Sequence, residues 1–223
     1  MNDRPSPRIS SRKSPKQARS AELVATILEA AVQVLAKEGA QRFTTARVAE
    51  KAGVSVGSIY QYFPNKAAIL FRLQSDEWRQ TSDLLRGILE EKDRPPLDRL
   101  RALVHAFVRS ECEEAEVRGA LDDAAPLYRD APEAQEARLS GTQTLQVFMT
   151  ELMPDVSAAV RDLAGDLMTS TLKQVGKAFS ETPRTPAEIT AYADAMADMF
   201  GAYLASLADP RQTGASGSWI TNP

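Results

Sequence analysis

Hydrogen-bonding and aromatic side chains are concentrated in one short stretch, VSVGSIYQYFPNK, at residues 54–66. Serine, tyrosine, glutamine and lysine side chains can donate hydrogen bonds to phosphate oxygens, and glutamine can also pair with the edge of an adenine. Val54, Ile59 and Phe63 stand among them at spacings that suit a buried side. A short helix that is held by apolar residues on one side and displays polar groups on the other suits the major groove of DNA.

The residues before this stretch predict two further helices. Residues 20–39, SAELVATILEAAVQVLAKEG, repeat apolar residues at three- and four-residue steps. A short second helix follows with Thr44 as its N-cap, and Gly53 ends it. Ser55 caps a third helix that runs to about Tyr62. Two short helices joined at a glycine, which accepts a positive φ, predict a helix-turn-helix.

The remaining sequence shows helical periodicity and no alternating strand pattern. Asn65 is the predicted N-cap of a fourth helix that runs from residue 66 to about residue 91, and a proline-containing loop follows at 92–96. Further helices are predicted at 97–115, 117–127, 132–153, 155–181 and 186–208. The last of these begins with a capping box formed by Thr185 and Glu188. We therefore expect an all-α fold with about nine helices.

Charge is divided unevenly along the chain. Residues 1–66 carry 11 Lys and Arg against 5 Asp and Glu, whereas residues 67–223 carry 16 against 25. This asymmetry favours contact of the first part with a polyanion, although two solvated surfaces of different composition would give the same totals. Residues 1–19 contain six Lys or Arg and one Asp, which predicts a flexible basic arm. Gly, Ser and Pro predict a loose tail at 209–223.

Several other classes of function lack their sequence signatures. The single cysteine, Cys112, suits a reducing compartment, and with the single histidine, His105, it is too little for a His/Cys metal site within one chain. No phosphate-loop glycine pattern, nucleophile elbow or HExxH sequence occurs. We also find no secretory signal and no apolar run of membrane-spanning length. We expect a cytoplasmic protein that is not an enzyme and uses no metal or cofactor.

One segment carries a resemblance to a known family. Residues 44–70, TTARVAEKAGVSVGSIYQYFPNKAAIL, resemble the TetR family of bacterial transcriptional regulators, most specifically in AGVSVGSIYQYFPNK. The likeness covers about residues 20–75, and beyond them it is one of architecture. It implies a homodimer with an N-terminal three-helix DNA-binding domain, here residues 20–66, and a larger helical domain for effector binding and dimerisation, here residues 67–208.

The resemblance also implies which residues contact DNA. The first lies at the start of the second helix, the next six on the recognition helix and the last just after it: Thr45, Ser55, Val56, Gly57, Tyr60, Gln61, Tyr62 and Lys66. The Lys66 ammonium and the free amide groups of the following helix can together hold a phosphate. Many relatives carry a basic residue or histidine in place of Val56 or Tyr62, so the base preference stays open.

The last two helices provide rows of small and apolar residues that suit close helix packing. Two such helices from each of two chains would form a four-helix dimer interface. The residues predicted for this interface are Val160, Ala164, Met168, Val175, Ala193, Ala197, Gly201 and Ala205. The alternative is that these rows pack only within one chain.

Aromatic, sulfur-containing and histidine side chains in the central helices could line a cavity for a lipophilic effector. They are Trp78, His105, Phe107, Cys112, Tyr128, Phe148 and Met149. The same residues at helical spacing also suit an ordinary core. Together these features predict a ligand-responsive repressor that binds a near-palindromic operator as a dimer. The alternative is a DNA-binding architectural or partner-recruiting factor without a small-molecule effector.

Overall fold

A computed structural model describes residues 9–10, 18–134 and 142–208 of the chain. Its elements are α1 (Ala18–Arg42), α2 (Thr45–Ala52), α3 (Val56–Tyr60), α4 (Lys66–Leu89), α5 (Pro96–Glu113), α6 (Ala115–Ala124), a 3-10 turn (Ala125–Leu127), α7 (Thr142–Leu152), α8 (Ala158–Ser180) and α9 (Pro186–Ala208). No strand occurs in these ranges, so the predicted all-α class is confirmed. No helix in them is long and apolar enough to cross a membrane. The predicted tail at 209–223 and most of the predicted arm at 1–19 lie outside the described residues.

Side-chain caps begin the later helices where the sequence predicted them. The Asn65 carboxamide oxygen accepts a hydrogen bond from the Ala68 amide at 2.9 Å at the start of α4. At α9 the Thr185 amide donates to the Glu188 carboxylate at 2.8 Å, and the Glu188 amide donates back to the Thr185 hydroxyl at 3.3 Å. The hydrogen bonds from Thr185 lower the pKa of Glu188 because they favour its charged form. Both predicted caps are therefore confirmed.

Packing divides the chain into two compact units. The first consists of Met1–Gln80 and Glu114–Ser140, and the second of Thr81–Glu113 and Gly141–Pro223. This grouping differs from the boundary expected at residue 66, because α4 continues past that residue and α6 packs on α1. The division of roles between residues 20–66 and 67–208 stays a prediction.

The core of the first unit is formed by side chains from its first four helices. Fully buried examples are Ile27 and Leu35 of α1, Val48 of α2, Ile59 of α3, and Ile69 and Leu70 of α4. Helix α1 is interrupted at Gly39, whose φ of 72° and ψ of 170° leave the helical region. The predicted stop at the end of residues 20–39 is thus a break, after which α1 resumes for one short turn.

Polar contacts join α4 to α6 and the segment after it within the first unit. The Tyr128 hydroxyl lies 3.1 Å from the Gln74 carboxamide oxygen and 3.1 Å from the Leu121 carbonyl oxygen. The Arg118 guanidinium forms an ion pair with the Glu77 carboxylate at 2.9 Å, and both side chains are only 14% exposed. Because these groups are largely removed from water, losing one partner would leave the other costly to bury.

In the second unit, α5 packs against α7, α8 and α9. Gly176 of α8 allows a close approach, since a Cβ atom there would lie 2.9 Å from the Phe107 ring of α5. The buried Arg99 guanidinium donates to the Leu89 carbonyl oxygen at 2.5 Å and pairs with the Glu151 carboxylate. The hydrogen bond from Arg99 lowers the pKa of Glu151. These contacts hold the end of α4, the start of α5 and α7 together.

Candidate nucleic-acid interface

The turn between α2 and α3 is formed by local backbone geometry. Thr44 is the N-cap of α2, and its hydroxyl accepts a hydrogen bond from the Arg47 amide at 3.3 Å. Gly53 ends α2 in the left-handed conformation, with φ 67° and ψ 29°. The Val54 amide then donates to the Ala49 carbonyl oxygen at 3.0 Å. The predicted cap and the predicted glycine stop are both confirmed.

Helix α3 begins at the predicted cap and ends earlier than expected. The Ser55 hydroxyl accepts a hydrogen bond from the Ser58 amide at 3.0 Å, and the two hydroxyl oxygens lie 2.8 Å apart. The helix was expected to reach Tyr62, but the amides of Tyr62 and Phe63 both donate to the Ile59 carbonyl oxygen at 2.9 Å. The chain therefore closes into a tight turn immediately after α3.

One side of α3 and its flanking residues is buried. Ile59 is fully buried, Phe63 is 1% exposed, and Val54 packs half-buried against the same core as Val48 and Ala49 of α2. Full burial of a side chain of this size contributes about 1.5–3 kcal/mol of hydrophobic free energy. The predicted anchoring of the recognition helix is confirmed by these positions.

The opposite side of α3 faces solvent. The exposed positions on this side are Ser55, Val56, Gly57, Tyr60 and Gln61. Tyr60 is 42% exposed and Val56 37%. The small side chains lie at the start of the helix and the larger polar ones at its end. Lys66, the first residue of α4, is half-buried.

Two residues of the predicted DNA-binding set are buried. Tyr62 is 8% exposed, so the expectation that it lies on the outer side is wrong. The tight turn at the end of α3 directs its ring into the core of the first unit. Thr45 is 9% exposed because the start of α2 packs on α1, and it presents little surface to a phosphate. Six of the eight predicted residues remain accessible.

Sequence reasoning missed a charged groove of about 790 Å³ beside the helix-turn-helix. Its charged residues are Lys37, Glu38, Arg42, Arg47, Glu50, Lys51 and Glu116. The Glu38 carboxylate pairs with Arg47 and lies 4.0 Å from Arg42. Acidic groups therefore offset much of the positive charge in this groove. Counts of charge in the sequence include these residues but do not reveal which of them pair.

The seven residues predicted for the effector are divided between the two units. Tyr128 is buried and Trp78 half-buried in the first unit. The other five belong to the second: Phe107, Phe148 and Met149 in its core, and His105 and Cys112 half-buried. A groove of about 300 Å³ lies between α5 and α9, and none of the seven lines it or the charged groove.

His105 has a carboxylate partner, and burial affects the Cys112 thiol. The His105 Nε2 atom lies 3.0 Å from the Asp194 carboxylate, which also receives a hydrogen bond from Arg101 at 2.8 Å. Burial raises the pKa of the Cys112 thiol, and this outweighs the opposing effect of Arg184. Within the described ranges, no three His, Cys, Asp or Glu side chains are grouped so that they could hold a metal ion.

The predicted dimer interface is largely directed inward. Ala164, Met168, Ala193 and Ala197 are at most 5% exposed within the single chain, so they present little surface to a partner. They lie in the hydrophobic core of the second unit, in which α5 packs against both α8 and α9. Of the remaining predicted positions, Val160, Val175 and Gly201 are half-buried and Ala205 is exposed.

A different apolar face of α8 and α9 is exposed. Leu163 and Leu167 of α8 are 59% and 50% exposed, and Met199 of α9 is 50% exposed. Exposed alanines flank Met199 along α9: Ala191, Ala195 and Ala202. The four-residue spacing of Leu163 and Leu167 was available in the sequence, but the face that each helix buries was not.

An exposed, capped helix-turn-helix at the beginning of an all-helical chain defines a class of bacterial regulatory proteins. Residues 27–73 match the family described as "Bacterial regulatory proteins, tetR family", and residues 95–207 match "Tetracyclin repressor-like, C-terminal domain". The chain therefore belongs to the TetR family.

Curated relatives match different lengths of the chain. The repressor KstR of Rhodococcus jostii is 28% identical over 150 residues, which are 66% of this chain and 69% of KstR. The regulator TtgR of Pseudomonas putida is 41% identical over 81 residues, 36% of this chain and 38% of TtgR. The chain spans only 34% to 42% of the length of the first curated relatives it matches.

Solved structures share the fold at low sequence identity. FadR from Bacillus halodurans superposes with a TM-score of 0.63 at 21% identity, covering 84% of this chain and 96% of that one. FadR from Bacillus subtilis in complex with stearoyl-CoA gives a TM-score of 0.60 at 18% identity, covering 79% and 96%. These similarities establish the helical fold over most of the chain.

The left-handed turn at Gly53 generates a stability prediction. Gly53→Ala should lower the free energy of unfolding by about 1–2 kcal/mol, because an L side chain disfavours a positive φ. No atom lies within 4 Å of the added Cβ, so the cost comes from the backbone alone. Urea denaturation measures the change.

Gly57→Ala is the matched control, since the Cβ added to α3 would meet only the Ser55 hydroxyl at 3.7 Å. The free energy of unfolding of this variant should stay the same or rise by up to about 1 kcal/mol. Equal destabilisation by both substitutions would show that the left-handed turn is not the cause.

Proposed function

We propose that this protein is a ligand-responsive transcriptional regulator that binds a near-palindromic DNA operator as a dimer and is released by a small lipophilic effector. The observation that carries the proposal is the outward side of α3, with Tyr60 and Gln61 exposed and Ile59 fully buried behind them. Membership of the TetR family supports it. A cytoplasmic location follows from the proposed access to DNA.

The exposed side of α3 suits direct readout in the major groove. Ser55 and Gly57 at the start of the helix are small, so the backbone can approach the bases closely. The Gln61 carboxamide can pair with the N6 and N7 atoms of an adenine, and the Tyr60 hydroxyl can donate to a phosphate. The Lys66 ammonium at the start of α4 would bind a second phosphate without reading sequence.

A dimer would present two such helices to one duplex. Recognition helices of a twofold dimer enter successive major grooves about 34–36 Å apart, so the operator should be nearly palindromic. We place the dimer contact on the exposed apolar face of α8 and α9, which carries Leu163, Leu167 and Met199. The alanines beside Met199 would let a partner helix approach closely.

Release by an effector requires a bistable element, and α4 is our candidate. It contributes Lys66–Gln80 to the first unit and Thr81–Leu89 to the second. An effector that binds one arrangement of α4 more tightly would shift the population away from the DNA-binding state. The contacts Arg118–Glu77 and Tyr128–Gln74 hold α4 within the first unit and would have to be kept or exchanged in that shift.

An alternative function is a DNA-binding factor that recruits a protein and responds to no small molecule. Nucleoid occlusion factor SlmA of Vibrio campbellii is 38% identical over 84 residues, 37% of this chain and 42% of SlmA. No groove among those described is lined by the residues predicted for an effector. Effector binding is therefore the feature that distinguishes the two functions.

Variants of the recognition surface should separate base readout from phosphate binding. Lys66→Ala should weaken binding to all duplexes alike and lower the slope of log affinity against log salt by about one, because one phosphate contact is lost. Gln61→Ala should instead reduce discrimination at one base pair by about 1–3 kcal/mol. DNase footprinting on the DNA upstream of its own gene would first locate the operator, and fluorescence anisotropy would measure binding.

Two exposed residues outside this surface provide matched controls. Lys92→Ala removes an exposed lysine from the second unit. Gln80→Ala removes an exposed glutamine from α4, outside the recognition helix. Both variants should bind the operator as the unmodified protein does. Unchanged base preference in Gln61→Ala would exclude its readout role, and absence of any protected palindrome would count against the whole proposal.

The dimer assignment is tested by placing charge on the exposed apolar face. The double variant Leu163→Glu/Leu167→Glu should be monomeric in sedimentation velocity, because burying four carboxylates in one interface is unfavourable. Leu84→Glu is the control, since Leu84 of α4 is 48% exposed and lies on neither helix. A double variant that stays dimeric would exclude this face.

An effector should stabilise the folded protein in proportion to its affinity. Because the Bacillus subtilis FadR structure contains stearoyl-CoA, acyl-CoA thioesters of graded chain length are the first class to test. At about 100 times the dissociation constant, an effector adds about 2.7 kcal/mol to the unfolding free energy and should raise the melting temperature by several degrees. Coenzyme A alone is the control. If neither these nor other lipophilic compounds shift melting or release DNA, the alternative function is favoured.

A further inference from the structure

An apolar residue of the predicted basic arm lies in the core of the first unit. Ile9 is 1% exposed and belongs to the same buried cluster as Leu121, Tyr128, Ala131 and Ala134. The next residue is also held, because the Ser10 hydroxyl donates a hydrogen bond to the Glu133 carboxylate at 3.2 Å. The expectation that the whole of residues 1–19 is a flexible arm is wrong at these two positions.

The composition of the arm explains why this residue is the one buried. Ile9 is the only branched aliphatic side chain among residues 1–19, which otherwise contain mainly charged, serine and proline residues. Burying Ile9 removes its apolar surface from water, which is favourable, whereas the polar residues of the arm gain little from burial. A hydroxyl on the next residue, bonded to a carboxylate more than 120 residues away, fixes the register of that contact.

We propose that Ile9 and Ser10 form an anchor that docks the amino-terminal arm into an intramolecular site on the first unit. The site accepts a β-branched aliphatic side chain followed by a hydrogen-bond donor, and Glu133 is its polar group. Through Glu133 and the shared buried cluster, the occupied site would hold the segment that ends at Ala134. This segment includes Tyr128, whose hydroxyl is bonded to Gln74 of α4. The anchor therefore stabilises the segment after α6, which is joined to α4 by the hydrogen bond between Tyr128 and Gln74.

The anchor has a second consequence for the basic residues. Seven residues, 11–17, separate Ser10 from the start of α1 at Ala18, so Arg12, Lys13 and Lys16 belong to a stretch that the anchor and α1 tether at both ends. The reach of a tethered segment increases with the number of residues in the tether. The anchor thereby restricts where the arm's positive charge can act.

Hydrogen exchange of the full-length protein, without DNA or effector, tests the anchor. Ile9→Ser leaves the net charge unchanged but removes the buried aliphatic group, and it should accelerate exchange of amides between residues 121 and 134 about tenfold or more. Ile9→Val keeps most of the apolar volume and should change these rates by no more than about threefold. If these amides exchange in Ile9→Ser as slowly as in the unmodified protein, the proposal is overturned.

A milder variant covers the case in which Ile9→Ser does not fold. Ser10→Ala removes only the hydroxyl and should accelerate exchange over the same segment about threefold, with no change in amides of α8. A local anchor would be contradicted if hydrogen exchange accelerated equally throughout the chain. It would also be contradicted if exchange accelerated in neither variant. Because neither measurement involves DNA or an effector, failure of the anchor can be distinguished from failure of the proposed function.

Discussion

Burial of one side of a five-residue helix is the constraint on which the rest of the proposed site depends. Ile59 and Phe63 are almost completely removed from water, and Gly53 allows the chain to turn so that both side chains reach the core. Each contributes about 1.5–3 kcal/mol, which is large beside the marginal stability of a domain. Because α3 has so few residues, fixing these two also fixes the direction of its exposed residues.

The first unit is more than a helix-turn-helix. Helix α6 and the segment up to Ala134 pack with α1 to α4, and partly buried polar groups join them to α4. Ion pairs and hydrogen bonds of this kind have defined geometry, so a displacement of α4 would break or exchange them rather than stretch them. A proposed ligand response therefore has specific contacts in the first unit on which to act.

The second unit shows how one helix can have two apolar faces with different roles. In α8 and α9 the rows containing Ala164 and Ala193 are used by the chain's own core, where small residues permit close packing against α5. The face with Leu167 and Met199 is left exposed. Large exposed apolar residues on neighbouring helices favour a protein contact, which is why the proposed dimer interface lies there.

Features encoded by neighbouring residues were predictable from the sequence. The caps Thr44, Ser55 and Asn65, the turn at Gly53 and the all-α class depend on side-chain types a few positions apart. Five exposed positions of α3 and its flanks followed from the burial of Ile59 and Phe63. These parts agree because local hydrogen bonds and helical periodicity act over one or two turns.

Features that require distant segments to meet were decided only by the tertiary structure. The burial of Tyr62 depends on where the chain turns after α3, and the burial of Ala164 and Ala193 depends on which face α5 covers. Ile9 has the sequence context of a solvated arm, yet it is 1% exposed within the buried core of the first unit. A periodic pattern indicates that one face of a helix is apolar. Only tertiary packing decides which of several apolar faces is buried, and which element buries it. The sequence by itself therefore determined the helical class and the capped starts of several helices, whereas long-range burial decided which residues remain available for binding.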